Sequence, residues 1–238
     1  MRTLLALACL LAGCAAAGVA PTGNNPDSPT QSDDADSDPP PDTQGPPVTA
    51  TLQQTTNTTV AANNSVACAL IDGGTGAILL THPNSWYRVY SLAEAGITGA
   101  FSVSSIDFAV ELANNEPPVT VKVGTYSGTP DDTTPLTLAQ ASFTATTTTA
   151  VANTQTPTTV TTPITATIPA GGSLIVEITS SDHTTNGDGF LLGTTNGPFQ
   201  HTNYLMSSTC AINAPTAMAA VCAGCGDSQA IISVTGTH

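Results

Sequence analysis

Two stretches of strict alternation set the character of this chain. Ile106, Phe108, Val110 and Leu112 are separated by Asp107, Ala109 and Glu111, and Val119, Val121 and Val123 by Thr120 and Lys122, with Gly124 following. A period of two belongs to a β-strand that turns one face to a core. Similar short runs of apolar and β-branched residues occupy 66–71, 77–80, 86–92, 136–146, 160–168, 174–178, 190–194 and 230–234, which makes about ten predicted strands. Between them lie Asp72-Gly73-Gly74, His82-Pro83-Asn84, Asn114 to Pro118, Gly128 to Asp132, Pro169 to Gly172 and Asn186 to Gly189. Their Gly, Pro, Asn and Asp supply the dihedral angles and local hydrogen bonds that turns require. Helical periodicity is nearly absent: 92–95 offers one turn and 214–221 a short coil. Antiparallel strands without helices bury their apolar faces by stacking two sheets, so the prediction is all-β, a single jelly-roll-like antiparallel β-sandwich over residues 49–238. About 190 residues hold one such domain and exceed the roughly 100 of an immunoglobulin fold. The Thr-rich stretch from Thr144 to Thr167 contains only Pro157 and Pro163 and is anchored by Val160 and Ile164, so it reads as strand and not as a mucin-like stalk.

The first 48 residues follow a different pattern. Arg2 precedes an apolar run from Leu4 to Leu11, too short to cross a hydrocarbon core of about 30 Å as a helix and suited to a removable signal segment, residues 1–13. It ends in Leu11-Ala12-Gly13-Cys14, an order that resembles the lipobox of bacterial lipoproteins. The resemblance implies that Cys14 receives a diacylglycerol thioether, becomes the first mature residue and is acylated on its amino group, with palmitate-like chains tying the protein to a membrane. Multiple chains anchor firmly where one does so only marginally. Ordinary secretion, cleaved among the small residues Ala15 to Gly18, is the alternative. Ala15 does not resemble the aspartate that retains lipoproteins in an inner membrane, which favours an outer-membrane address in a cell with two membranes. Residues 14–48 then carry Pro, Asp, Ser and Gln with almost nothing apolar after Ala20. Such a segment cannot bury enough surface to offset its chain entropy and is expected to be a disordered linker. Its reach lies between a coil of about 30 to 35 Å and a polyproline-like limit of about 100 Å.

Charge narrows the partners. The chain carries a net charge of −14, with seventeen acidic residues against three basic ones. Arg2 leaves with the signal segment, so Arg88 and Lys122 alone face the acidic side chains. Nucleic acid and anionic surfaces are repelled, and there is no clustered Arg or Lys to hold phosphate or sulfate groups. Neutral glycans, protein partners and cations are left.

With Cys9 removed and Cys14 acylated, Cys68, Cys210, Cys222 and Cys225 remain. An even count in an exported domain reads as two disulfides with three connectivities; Cys68 with Cys210 and Cys222 with Cys225 is preferred, because the latter pair closes a small local loop. The rival reading of Cys222-Ala-Gly-Cys225, a redox motif or half a zinc site, lacks both the helix start of a βαβ unit and two further ligands at suitable spacing.

Candidate chemistry is sparse. There is no Gly-x-Ser-x-Gly elbow, no His-Glu-x-x-His and no phosphate-cradling glycine loop, and no cofactor is expected. Glu94, Glu111, Glu116 and Glu177 offer carboxylates for a glycosidase pair, though sequence spacing cannot set two of them across a bond. Asp182, Asn186 and Asp188 crowd oxygen atoms into one turn and loosely suggest calcium, but without EF-hand spacing or a bidentate Glu. Alternation sets Trp86, Arg88 and Tyr90 on one strand face, either as a flat platform for sugar stacking or as core rings with Arg88 paired to a carboxylate.

Asn84 to Leu92, Gly96 to Val103, Ile106 to Glu111, Leu174 to Ile178, Tyr204 to Cys210 and Ile231 to Gly236, taken in order, resemble a β-sandwich module of bacterial secreted multidomain proteins. That resemblance spans residues 84–236; it implies fold and compartment, suggests that Arg88 and Cys210 are structural, and carries no activity. The expectation is a surface-displayed, lipid-anchored and non-enzymatic domain in the cell envelope that binds a neutral polysaccharide or a protein partner, or contributes to the coat. The alternative is a secreted hydrolase acting on glycans through an acidic pair.

Overall fold

The computed structural model describes residues 45–75, 77–183, 188–196 and 201–238. The signal segment, Cys14, nearly all of the expected linker and Asn186 lie outside the described residues. Residues 45–238 form one unit. It is built from β1 (Thr49–Gln53), β2 (Ala69–Ile71), β3 (Ile78–Thr81), β4 (Asn84–Ser91), β5 (Phe101–Asn114), β6 (Pro118–Tyr126), β7 (Ala141–Ala150) and β8 (Thr158–Ile168). There follow β9 (Ser173–Ser180), β10 (Gly189–Leu192), β11 (Thr194–Thr195), β12 (Asn203–Ser207), β13 (Ile212–Ala217), α1 (Met218–Val221), β14 (Gln229–Ala230) and β15 (Ile232–Thr237).

All pairings between these strands are antiparallel, and the architecture is all-β. In the first sheet the long β5 is central. On one edge it pairs with β8, from Phe101↔Ile168 to Val110↔Thr158. On the other, β15 covers Ser102 to Phe108 and β10 takes over from Val110 to Asn114, with β1 outside β15. The second sheet runs β13-β12-β4-β9-β6-β7. Alternation delivers one core from both: Phe101, Ile106, Phe108 and Phe190 from the first sheet meet Trp86, Val121, Leu174 and Val176 from the second. The ring of Phe190 stands edge-on to Trp86, with centroids 5.8 Å apart, and to Phe108 at 6.3 Å, the geometry that aromatic quadrupoles prefer. Two sheets that share one interior are a β-sandwich.

Differences from the expected ten strands have local causes. The run 190–194 is broken at Gly193 and the run 230–234 at Ile231, because here three chains cross-link: Ala109 N–H bonds to Ile231 O, Gly193 N–H to Ala109 O and Ile231 N–H to Gly193 O, at 3.0, 2.8 and 3.0 Å. A Cβ on Gly193 would lie 2.8 Å from Ala109 Cβ and Val60 Cγ2, so only glycine permits the junction. β1, β12 and β13 have too few alternating apolar residues to stand out in sequence. Residues 214–217, expected to coil, belong to β13, and only Met218 to Val221 turns as α-helix. Leu136, expected in a strand, sits in the loop before β7. The Thr-rich stretch forms much of β7 and β8, edge strands whose outer hydroxyls face water. β6 approaches β7 so closely at Gly124 that a Cβ would fall 2.0 Å from Ser142 O.

The outer face of the second sheet is covered as well. Tyr87, Val89, Tyr126, Ile175 and Tyr204 form a second apolar cluster under Leu136. The Tyr204 hydroxyl pins the covering loop, accepting from Asp131 N–H at 2.9 Å and donating to Asp131 O at 3.0 Å. β4 is therefore buried on both faces, which is why its sequence reads as aromatic and apolar without a clean period of two. The sulfurs pair as Cys68–Cys210 and Cys222–Cys225, with Cα atoms 5.8 and 5.3 Å apart. Among the described residues no helix is long and apolar enough to cross a membrane.

Candidate functional site

Both basic residues of the domain are used inside it. Arg88 is 0 % exposed. Its Nη1 donates to Gln54 Oε1 and His201 O, each at 2.9 Å, and its Nη2 to Gln229 Oε1 at 3.2 Å and Ala230 O at 2.8 Å. The expected carboxylate partner is not there: four neutral oxygens hold the cation, two from β14 and one each from the residues just after β1 and just before β12. Burial pulls the guanidinium down to about 10, the Tyr90 phenol opposing, so it stays charged at neutral pH. Lys122 Nζ lies 3.0 Å from Glu177 Oε2 on the outer face of the second sheet. The other oxygen of Glu177 accepts from Tyr87 and Thr179, each at 3.0 Å. Burial first, and then the Glu177 charge, push the Tyr87 phenol up.

Trp86 and Tyr90 do not form a platform. Both rings are buried and face the inter-sheet core, with Trp86 Nε1 donating to Val66 O at 2.9 Å and the Tyr90 hydroxyl to Ile232 O at 2.8 Å. A chain with so few aromatic residues spends them on its core.

What lies above this network is a polar groove in two hollows of about 250 Å³ each. One hollow is bounded by Thr51, Gln53 and Gln54, the other by Thr129, Asp132 and Thr202; Ser91, Glu94 and His201 line both. Glu94 Oε2 lies 3.8 Å from His201 Nε2, and both side chains are exposed. The floor is fixed from below, since Gln54 and the His201 carbonyl are the groups that Arg88 holds. Hydroxyls, amides, an imidazole and two carboxylates thus line two adjoining hollows, beside Leu52 and Tyr90 in one and Val89 and Pro130 in the other. No local pattern announces the groove, because its walls come from five separated segments, 51–54, 89–95, 129–132, Ser173 and 201–202.

The remaining carboxylates are scattered. Glu111 accepts from Asn63 N–H and Ser65 N–H, Glu116 sits in the turn between β5 and β6, and Glu177 is buried against Lys122. Asp182 lies 3.4 Å from His82 Nδ1, and Asp188 accepts from Asn115 Nδ2. His183 N–H bonds to Thr81 O at 3.2 Å, beside the pair of His82 and Asp182, and its side chain is buried. Burial lowers the His183 pKa against the opposing fields of Asp188 and Asp182. Among the described residues no three His, Cys, Asp or Glu side chains are grouped to hold a metal ion.

A second concavity of about 520 Å³ lies over Leu112 and Leu191, with Ile78 and Pro157 at its edge. Beside it the β2–β3 hairpin leaves Leu70, Ile71 and Ile78 exposed at 45 %, 56 % and 37 %.

No family model, curated protein or solved structure matches this chain.

Proposed function

We propose that the protein is a lipid-anchored domain of the bacterial cell envelope, extended from its membrane by the acidic linker, and that it binds a neutral, hydroxyl-rich polysaccharide in the groove around Glu94 and His201 without catalysing a reaction. The observation that carries this reading is the groove's lining, which offers hydrogen-bond acceptors and donors while both domain cations are engaged internally. Sugar hydroxyls suit such a lining, and a hydrogen bond to a carboxylate contributes about 1.5 to 3 kcal/mol. Two disulfides accord with an exported domain, and Leu11-Ala12-Gly13-Cys14 supports the anchor.

The test is a screen of immobilised neutral and acidic glycans with residues 45–238, in parallel with the Glu94→Ala, His201→Ala double variant. A neutral glycan retained by the native domain and bound about tenfold or more weakly by the variant is the expected result, one decade corresponding to about 1.4 kcal/mol. Failure of every neutral glycan to bind overturns the ligand assignment, and release of shortened sugars from a bound glycan overturns the non-enzymatic reading in favour of a hydrolase using Glu94 and Asp132. The exposed Leu70, Ile71 and Ile78 favour a second reading, a protein partner on the β2–β3 hairpin, in which hairpin substitutions and not groove substitutions abolish binding.

The anchor has its own test. Expressed in a bacterium, the native chain should partition into the detergent phase of a Triton X-114 separation and incorporate labelled palmitate, while Cys14→Ser should do neither. Palmitate incorporation or detergent partition that survives the substitution removes Cys14 as the lipid site.

A further inference from the structure

The loop Cys222-Ala223-Gly224-Cys225 is closed by a disulfide between residues only three positions apart. Cys222, Ala223 and Gly224 are exposed, whereas Cys225 is 5 % exposed. Gly224 has φ +87°, a conformation glycine takes without strain, and Cys225 N–H donates to Cys222 O at 3.1 Å. The turn is thus hydrogen-bonded without its sulfurs.

The segment that follows is secured independently. Ser228 N–H donates to Cys225 O at 3.1 Å and Ser228 Oγ to Asn64 O at 3.0 Å. Asn203 donates to Ser228 O at 3.2 Å and accepts from Ala230 N–H at 2.7 Å. Arg88 holds Gln229 and Ala230. None of these bonds runs through a sulfur atom. Cys68–Cys210 differs in the loop it closes and not in exposure: it joins residues 142 apart, and like the local pair it sets a buried cysteine, Cys68 at 2 %, against an exposed one, Cys210.

We propose that Cys222–Cys225 is a thiol–disulfide exchange site, opened by the thiolate of a small thiol or of a dithiol protein while Cys68–Cys210 stays closed. The incoming thiolate attacks the accessible Sγ of Cys222. A sulfur–sulfur bond forms there, the Cys222–Cys225 bond breaks, and its electron pair leaves on Cys225 Sγ, which takes up a proton. A second external thiolate then attacks the external sulfur of the mixed disulfide. It departs as an oxidised external disulfide, and Cys222 is left as a thiol after protonation. Two external thiols are oxidised and one protein disulfide is reduced. Cys222 follows the C-terminal end of α1, where carbonyl groups and not N–H groups face outward, so this helix end does not favour a free thiolate at that position. Opening therefore starts from the external thiolate, while the exposure of Cys222 sets its rate of exchange in either direction.

The test equilibrates the full chain in graded reduced and oxidised glutathione, alkylates free thiols and maps the modified peptides by mass spectrometry. Cys222 and Cys225 should be alkylated at a poise where Cys68 and Cys210 remain joined, with the circular dichroism spectrum unchanged. In single variants exposed to oxidised glutathione, Cys222 in Cys225→Ser should form its adduct at least tenfold faster than Cys225 in Cys222→Ser. Alkylation of Cys68 and Cys210 at the same poise as Cys222 and Cys225, a loss of structure on opening the local pair, or adduct rates in the two variants within a factor of ten overturns the proposal.

Discussion

Arg88→Ala should cost the domain about 3 to 5 kcal/mol of stability, the range seen when one member of a buried polar network is removed. The side chain is fully buried and donates to four oxygens contributed by Gln54, His201, Gln229 and Ala230. Truncation leaves those acceptors without their donor, at about 1 to 3 kcal/mol for each one left buried and unpaired, less whatever relaxation or groove water recovers. It also leaves the volume of a long side chain unfilled between the sheets. Arg88→Lys should be intermediate: it retains the charge, but an ammonium cannot reproduce the flat fork that reaches two pairs of acceptors from one carbon. Urea unfolding checks this, since with a slope of about 1 to 3 kcal/mol per molar the alanine variant should shift its midpoint by more than about 1 M. An alanine variant within 1 kcal/mol of the native domain, about the typical cost of a point substitution, would show that the network is not a stabilising hub. Because Gln54 and His201 also line the groove, the lysine variant should weaken ligand retention even where the domain remains folded.

The same network marks the limit of what the sequence disclosed. Alternation identifies the buried faces of β6 and of β5 as far as Val110, since each depends only on residues two apart; beyond it the register shift against β10 leaves Leu112 half-buried and puts Ala113 in the core. Arg88 was visible as an arginine in an apolar strand, and the natural inference was a carboxylate partner. Its real partners lie 34, 113, 141 and 142 positions away, and two of them are backbone carbonyls, which have no sequence signature. Trp86 and Tyr90 were correctly placed on one face, but a pattern of alternation cannot say whether that face meets water or a second sheet. The outer face of β4 is buried too, under a loop whose covering role depends on Tyr204 and Leu136 meeting Tyr87 in space. The groove failed to appear for the same reason: residues 51–54, 89–95, 129–132, Ser173 and 201–202 become neighbours only once both sheets are assembled.

Removing the long disulfide should produce the other large effect. In the chain-entropy account, a cross-link stabilises by restricting the unfolded chain, and the restriction grows with the logarithm of the loop it closes. Cys68–Cys210 closes a loop with a separation of 142 residues, Cys222–Cys225 one with a separation of 3. The corresponding contributions are about 5 kcal/mol and about 2 kcal/mol, with native disulfides commonly worth about 2 to 4 kcal/mol in practice. The paired Cys68→Ala, Cys210→Ala variant should therefore lose about 2 to 5 kcal/mol, or roughly 5 to 15 °C in melting temperature for a domain of this size, and the paired Cys222→Ala, Cys225→Ala variant distinctly less. The folded state has little reason to change, because Asn84 holds the Cys68 backbone from both sides, accepting from its N–H at 2.7 Å and donating to its carbonyl at 3.1 Å. Native-like near-ultraviolet circular dichroism in the long-loop variant, together with the lowered melting point, is the combination that places the effect in the unfolded chain. Equal losses from the two pairs, or a larger loss from the local one, would contradict the entropic account and would also mean that the 222–225 turn supports the fold in a way its hydrogen bonds do not reveal.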